Sequence, residues 1–216
     1  MANEKLREYV SDELIWDPQV DPEEVAVSAQ DDGTVTLRGT VGSFRQKSEA
    51  ETAAERVWGV TAVKNELKVR ILDQWRRDDA ELRGDVLQAL MLDSLVPTSV
   101  DAKVSDGWVT LTGTAAHQYQ RDEAVFVAGN ILGVLGVDNE ILLTETPDPG
   151  DVEHDITKAF ERNAKLDANQ LTVDSSDGTI TLRGTVRSWS ERDDAVDTAW
   201  ASPGVRDVRD LLTVVY

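Results

Sequence analysis

The sequence predicts an α+β protein built as three tandem α-β-β-α-β domains, each a small three-stranded mixed sheet with two helices packed on one face. Three observations carry that expectation. A ten-residue pattern occurs three times: DGTVTLRGTV at 32–41, DGWVTLTGTA at 106–115 and DGTITLRGTV at 177–186. Nine glycines keep the same spacing. Gly33, Gly107 and Gly178 start the series, Gly39, Gly113 and Gly184 follow six residues later, and Gly59, Gly133 and Gly204 lie 26 residues after the first set. The hydrophobic periodicity also switches between helix and strand spacing in the same order in each copy. Self-similarity at a fixed period is the signature of a repeated structural unit.

Each copy opens on a helix whose apolar residues recur every three or four positions, as one buried face requires. These are Leu6, Val10 and Leu14 in the first copy, and Val86, Leu87, Leu90 and Met91 in the second. The third has Val152, Ile156, Ala159 and Phe160. A short alternating strand follows, with Val25/Val27, Ala102/Val104 and Leu171/Val173. The Asp-Gly pair then suits a tight hairpin turn with positive φ. The return strand alternates at Val35/Leu37, Val109/Leu111 and Ile180/Leu182, which turns Thr36, Thr110 and Thr181 to the opposite face.

The second glycine falls near the end of that strand, where a bulge or a close backbone approach is expected. A second helix follows with the stripe Ala50, Ala53, Ala54, Val57, matched by Ala124, Val127, Ala128, Ile131 and more weakly by Ala195, Thr198, Ala199, Ser202. The third glycine is expected to cap that helix. A last strand closes each copy: 63–71, 137–143 and 208–215. The β-α-β part implies a parallel pairing beside the antiparallel hairpin. Domain limits are expected at 1–72, 78–145 and 150–216, with linkers at 72–79 and at the Pro/Gly/acid stretch 145–151. At roughly 70 residues each copy is near the lower limit for an independent core, so the copies are expected to lean on one another.

These motifs resemble the BON-domain family. The resemblance rests on DGxVTLxGTV, on the alanine-striped helix, and on the closing element. That element reads Trp58-Gly59-Val60 with Val63-Lys64-Asn65-Glu66-Leu67, then Gly133-Val134 with Val137-Asp138-Asn139-Glu140-Ile141, then Pro203-Gly204-Val205 with Val208-Arg209-Asp210-Leu211-Leu212. It covers nearly the whole chain. The resemblance implies a non-catalytic α-β-β-α-β domain associated with phospholipid membranes, cell-envelope maintenance and osmotic or other stress. The nine glycines are fold features of such a domain and carry no site.

Charge narrows the classes of partner. The net charge is −19, spread as −6, −8 and −5 over residues 1–74, 75–148 and 149–216. No segment is basic, which argues against nucleic acid and against simple charge-driven binding to anionic lipid. With no cysteine, disulfides, thiol catalysis and thiolate metal sites are excluded. No apolar run reaches the length of a transmembrane helix. The N-terminus MANEKLREYV lacks the apolar stretch of a secretory signal. The chain as it stands is therefore expected in the cytoplasm; a removed signal would place it in the periplasm or envelope.

No catalytic motif stands out, so no enzyme is expected, and no cofactor or metal. The two histidines, His117 and His154, fall at unrelated repeat positions, and Asp31-Asp32 and Asp193-Asp194 are the strongest hints of a weak cation site. One difference between copies is informative. The stretch 124–137, AVFVAGNILGVLGV, has no charge. Val125 and Phe126 lie outside the buried stripe, and Leu132 and Leu135 flank the third glycine. These four residues are the candidate interface. A helix apolar all round should be buried on more than one side, so packing between domains or a homo-oligomer through the middle domain is expected. A phospholipid surface or another protein is the alternative partner. Function is expected to be peripheral membrane or envelope association; the alternatives are a chaperone-like or protein-interaction module, and a small-ligand or cation sensor. Phe44 and Trp189 share the first position of the second helix, where Gln118 stands in the second copy; an aromatic packing over the helix entry is expected, with an amphipathic membrane anchor as the alternative.

Overall fold

The computed structural model describes residues 2–71, 77–144, 151–164 and 166–215; the expected linkers fall largely outside them. The element order is α-β-β-α-β, three times. The first repeat holds α1 (Ala2–Trp16), β1 (Val25–Ala29), β2 (Thr34–Val41), α2 (Phe44–Glu55) and β3 (Ala62–Val69). The second holds α3 (Asp79–Leu92), β4 (Asp101–Ser105), β5 (Trp108–Thr112) with its extension β6 (Thr114–Ala115), α4 (Gln118–Gly129), β7 (Gly136–Asn139) and β8 (Leu142–Leu143). The third holds α5 (Val152–Arg162), β9 (Leu171–Ser176), β10 (Thr179–Val186), α6 (Trp189–Trp200) and β11 (Asp207–Val214). A short 3₁₀ turn at Ala168–Gln170 precedes β9. The chain divides into two compact units. One comprises Met1–Ala115 with Tyr119–Leu142 and carries the first two repeats; the other comprises Ala116–Gln118 with Leu143–Tyr216 and carries the third.

Each repeat has a three-stranded mixed sheet with the return strand in the middle: β1-β2-β3, β4-β5-β7 and β9-β10-β11. The hairpin is antiparallel, pairing Val27 with Leu37, Ala102 with Leu111 and Val173 with Leu182. The crossover pairing is parallel, placing Leu37 beside Asn65, Leu111 beside Asn139 and Leu182 beside Asp210. Side-chain alternation sends Val35, Leu37 and Val41 under the helices, where they meet Val10 and Leu14 of α1 and Ala50, Ala53 and Ala54 of α2. Alanine lets α2 lie close to the sheet. The third repeat builds the same core from Ile156, Phe160, Ile180, Leu182, Ala195 and Ala199.

The hairpin turns come in two forms. In the second and third repeats Asp106-Gly107 and Asp177-Gly178 are two-residue turns with positive φ at both positions, 51° and 78° and then 50° and 76°, the type I′ pattern that matches strand twist. The first repeat carries one more residue. Gly33 donates to Gln30, Gln30 donates to Thr34, and only Gly33 of the loop has positive φ, at 85°. That is a three-residue loop with a glycine bulge, so Asp32 does not take the left-handed conformation the Asp-Gly pair suggested.

The third glycine is also placed differently from expectation. It does not cap the second helix, because α2 closes at Arg56 in right-handed conformation. Gly59 sits three residues further on, in a separate turn in which Val60 donates to Val57, and Ile131–Val134 and Ser202–Val205 repeat that bond. Positive φ at the third residue of a four-residue turn is the type II requirement, with 94° at Gly59.

Two local devices recur. Ser43 caps α2 by accepting from Gln46, whose own side chain accepts from Gly42. Ser188 and Glu191 do the same for α6, with Glu191 accepting from Arg187. This reciprocal arrangement satisfies the free N–H groups of a helix start. His117 stands at the equivalent position of the second repeat. In the closing strands Asn65, Asn139 and Asp210 each accept from the N–H two residues on. Asn65 also donates to the Lys47 carbonyl, and Asp210 accepts from Arg192. The last strand is thereby pinned to the second helix.

Candidate functional site

The second repeat's uncharged stretch is only partly helical. α4 stops at Gly129, and the segment from Asn130 onward is turn and then strand. The four candidate residues are therefore not on one surface of one helix. Val125 is half-buried and Phe126 is 46% exposed, with the Arg45 guanidinium 4.4 Å from its ring centroid. Leu132 is 42% exposed. Leu135 is half-buried against the hairpin turn, where a methyl group on Gly107 would lie 3.1 Å from its Cγ. On α4, Gly129 faces Phe44, and a methyl group there would lie 2.8 Å from the ring. The middle repeat thus touches the start of α2 in the first repeat through Phe126 and Gly129. The missing side chain at Gly129 makes room for Phe44. Trp189, at the matching position in the third repeat, packs against its own core and stacks with Arg192 at 4.5 Å.

A more exposed apolar feature lies at the ends of the first helices. The buried series in the second repeat is Leu82, Val86 and Leu90, one step per turn, and corresponds to Leu6, Val10 and Leu14. The sequence placed Met91 on the buried face. It is 83% exposed, because the stripe takes one residue per turn and Leu82 fills the first position. The same alignment pairs Ile15 with Met91 and Trp16 with Leu92. Their exposures are 68%, 83%, 84% and 79%. Two consecutive large apolar residues therefore project from the same place in both repeats. In the third repeat these positions hold Glu161 and Arg162. Reading the buried series first would have revealed the pair.

The charged groups around Trp16 are organised. Arg56 reaches Asp17 at 2.5 Å and Glu13 at 3.2 Å. The guanidinium beside Asp17 holds its carboxyl below the usual range, helped by the Gln19 N–H. On α6, partial burial and then the neighbouring Asp197 push Asp193 up, while partial burial and then Asp194 push Asp197 up. Asp32 is held low by hydrogen bonds from Thr34. Among the described residues no three His, Asp or Glu side chains are grouped to hold a metal ion. No helix among them is long and apolar enough to cross a membrane.

The BON-domain family model matches this chain at residues 2–71, 78–145 and 148–216. The chain belongs to the BON-domain family. It is 32% identical over 145 residues to osmotically-inducible protein Y of Escherichia coli (strain K12), an alignment covering 62% of this chain and 72% of that protein. Among solved structures it is similar to CdsD, a structural protein of the Type III secretion system of Chlamydia trachomatis, at 16% identity, 98% and 92% coverage and a TM-score of 0.25. The PrgH periplasmic domain matches at 10% identity, 95% and 99% coverage and a TM-score of 0.24. Similarities this low carry no argument about arrangement or partners.

Proposed function

We propose that this BON-domain protein is a non-enzymatic binding protein that associates with phospholipid surfaces of the cell envelope, in a role tied to osmotic or related stress. Family membership and the name of the E. coli relative support the setting. The observation that carries the reading is the repeated apolar pair, Ile15-Trp16 and Met91-Leu92, projecting from two helix ends. Large apolar side chains exposed in pairs mark interaction sites more often than scattered ones do. Tryptophan suits the interfacial layer, where its ring is buried and its N–H stays wet.

Charge sets the lipid preference. Glu13, Asp17 and Asp93 stand close in sequence to the two pairs, and the chain is strongly acidic. Zwitterionic membranes are favoured, and anionic ones bind when a divalent cation screens the repulsion. Vesicle flotation tests this. The protein floats with phosphatidylcholine, and with phosphatidylglycerol only when Mg²⁺ is added. Trp16→Ser lowers the bound fraction by about tenfold, the equivalent of losing roughly one buried apolar side chain. Its thermal midpoint is unchanged because the side chain touches little in the folded protein. No flotation under any condition, or equal flotation of the variant, sinks the reading.

A further inference from the structure

The first repeat carries a cleft whose lining sets it apart from the matching place in the second repeat. It has a volume of about 390 Å³ and is bordered by Leu6 and Tyr9 of α1, by the hairpin loop at Asp31 and Asp32, and by Trp58 in the turn after α2. Thr61 ties the hairpin loop to the turn after α2. It donates through its N–H to Gly33 at 3.0 Å and through its hydroxyl to the Asp32 carbonyl at 2.7 Å. Gly59 lies against Leu6, where a methyl group would sit 3.5 Å from Cδ1. These contacts hold the two turns against the helix and set the cleft walls.

Aromatic, anionic and cationic side chains border this space, the last being Lys5. Of the aromatic ones, Trp58 is 71% exposed and Tyr9 43% exposed. The anionic ones are Asp31 and Asp32. Asp31 makes no hydrogen bond or ion pair with the described residues, and it exists only because this hairpin loop has one residue more than its counterparts. Tyr9 already receives a cation, since the Lys5 ammonium stands 5.3 Å from its ring centroid. Aromatic faces beside carboxylates form the chemistry that selects quaternary ammonium ions, which shed water easily and cannot be satisfied by hydrogen bonds. A hard metal ion is a poor match, because it needs around six oxygen ligands and two neighbouring carboxylates are the acids here.

The other repeats remove each part of the site. Tyr9 and Trp58 correspond to Asp85 and Leu132 in the second repeat and to Asp155 and Pro203 in the third. In the second repeat Asp79 accepts from the Asp106 and Gly107 N–H groups, at 2.7 and 2.9 Å, and the cleft at this place, about 530 Å³, has no aromatic residue among the described ones that line it.

We propose that this cleft binds a small soluble methylated ammonium ion, with Trp58 and Tyr9 as its aromatic walls and Asp31 as its counter-charge. The free ion is favoured over a choline headgroup of lipid, because Asp31 and Asp32 repel the phosphate that a headgroup brings with it.

Saturation-transfer NMR on the full chain with tetramethylammonium chloride, at constant ionic strength, tests the site. Binding is expected with a dissociation constant on the order of 1 mM. Trp58→Ala weakens it about 3- to 30-fold, and Asp31→Asn weakens it less. Lys5→Met strengthens it, because the competing ammonium is removed from Tyr9. Circular dichroism confirms that the variants keep the wild-type thermal midpoint, and Met91→Ser, in the second repeat and 83% exposed, leaves cation binding untouched, which separates this site from the membrane-facing pairs. No transfer at about 50 mM ligand, equal binding by Trp58→Ala, or loss of phosphatidylcholine flotation in Trp58→Ala without any free-ion binding overturns the proposal.

Discussion

A methyl group on Gly39 would lie 1.8 Å from the Glu24 carbonyl oxygen, and φ there is 126°. No side chain fits, and no L residue adopts that backbone readily. Gly113 and Gly184 repeat the approach against Ser99 and Gln170. The chain needs it because the residue before the first strand must cross the end of the central one, and Thr40 then donates to that same Glu24 carbonyl. Gly39→Ala is therefore expected to cost about 1–3 kcal/mol, read as a shift in the urea midpoint. Gly84 is the opposite case. It lies inside α3, exposed, with nothing within 4 Å of an added methyl. Gly84→Ala is expected to raise stability by about 0.5–1 kcal/mol through helix propensity alone. If both variants moved the midpoint the same way, the steric account of Gly39 would fail.

At the scale of elements, helix and strand order was legible because burial imposes two distinct periods, and the pairs Val35/Leu37, Val109/Leu111 and Ile180/Leu182 obey one of them in every copy. The glycine positions were legible because the backbone there admits no other residue. What escaped were features decided by a single residue of length or by contacts distant in sequence. Met91 looked internal until Leu82 set the phase of α3. Gly59 looked like a helix cap because the four-residue turn that separates it from α2 is invisible in apolar spacing. The lining of the first repeat's cleft depends on one inserted loop residue and an aromatic from another turn. The Ser43/Gln46 and Ser188/Glu191 caps were present in the sequence as S-x-x-Q and S-x-x-E ahead of an apolar stripe.

The link between α1 and α2 is also made at this scale, by Arg56 at the end of α2 reaching Asp17 beyond the end of α1. A carboxylate at a helix C-terminus opposes the helix dipole, and Arg56 offsets that. Because the folded-state value of Asp17 is depressed, its contribution to stability is present above the unfolded value, about 3.9, and is lost as pH falls through the folded value. Asp17→Asn is expected to lower stability at pH 7, with the difference from wild type shrinking below about pH 4. Urea titrations of both proteins across that range check it, and a difference independent of pH would show that packing, not charge, is the source.

For the whole molecule, the small size of each repeat suggested that all three depend on one another. Most of the first two lies in one compact unit, with α4 meeting the start of α2, while the other unit holds the third repeat together with Ala116–Gln118 and the chain from Leu143. The third repeat has a buried set of its own. Phe160 supplies a larger side chain where the others have Leu14 and Leu90, Trp189 and Trp200 pack at the margin, and Glu191 is buried with its oxygens accepting from Arg187 and Asp167. A core of that kind is near the minimum that folds alone, with a net stability of only about 3–5 kcal/mol. A fragment of residues 150–216 is therefore expected to unfold in urea as a single cooperative transition followed by circular dichroism. Within it, Ile180→Ala removes a fully buried side chain of the central strand, at a cost of about 2–5 kcal/mol. That is most of the available stability, so the variant fragment is expected to be unfolded at 25 °C, whereas Val215→Ala, at an exposed position, leaves the transition in place. A wild-type fragment without a cooperative transition would mean that the third repeat borrows its stability from the rest of the chain, and the grouping of two repeats and one would then describe contacts but not folding.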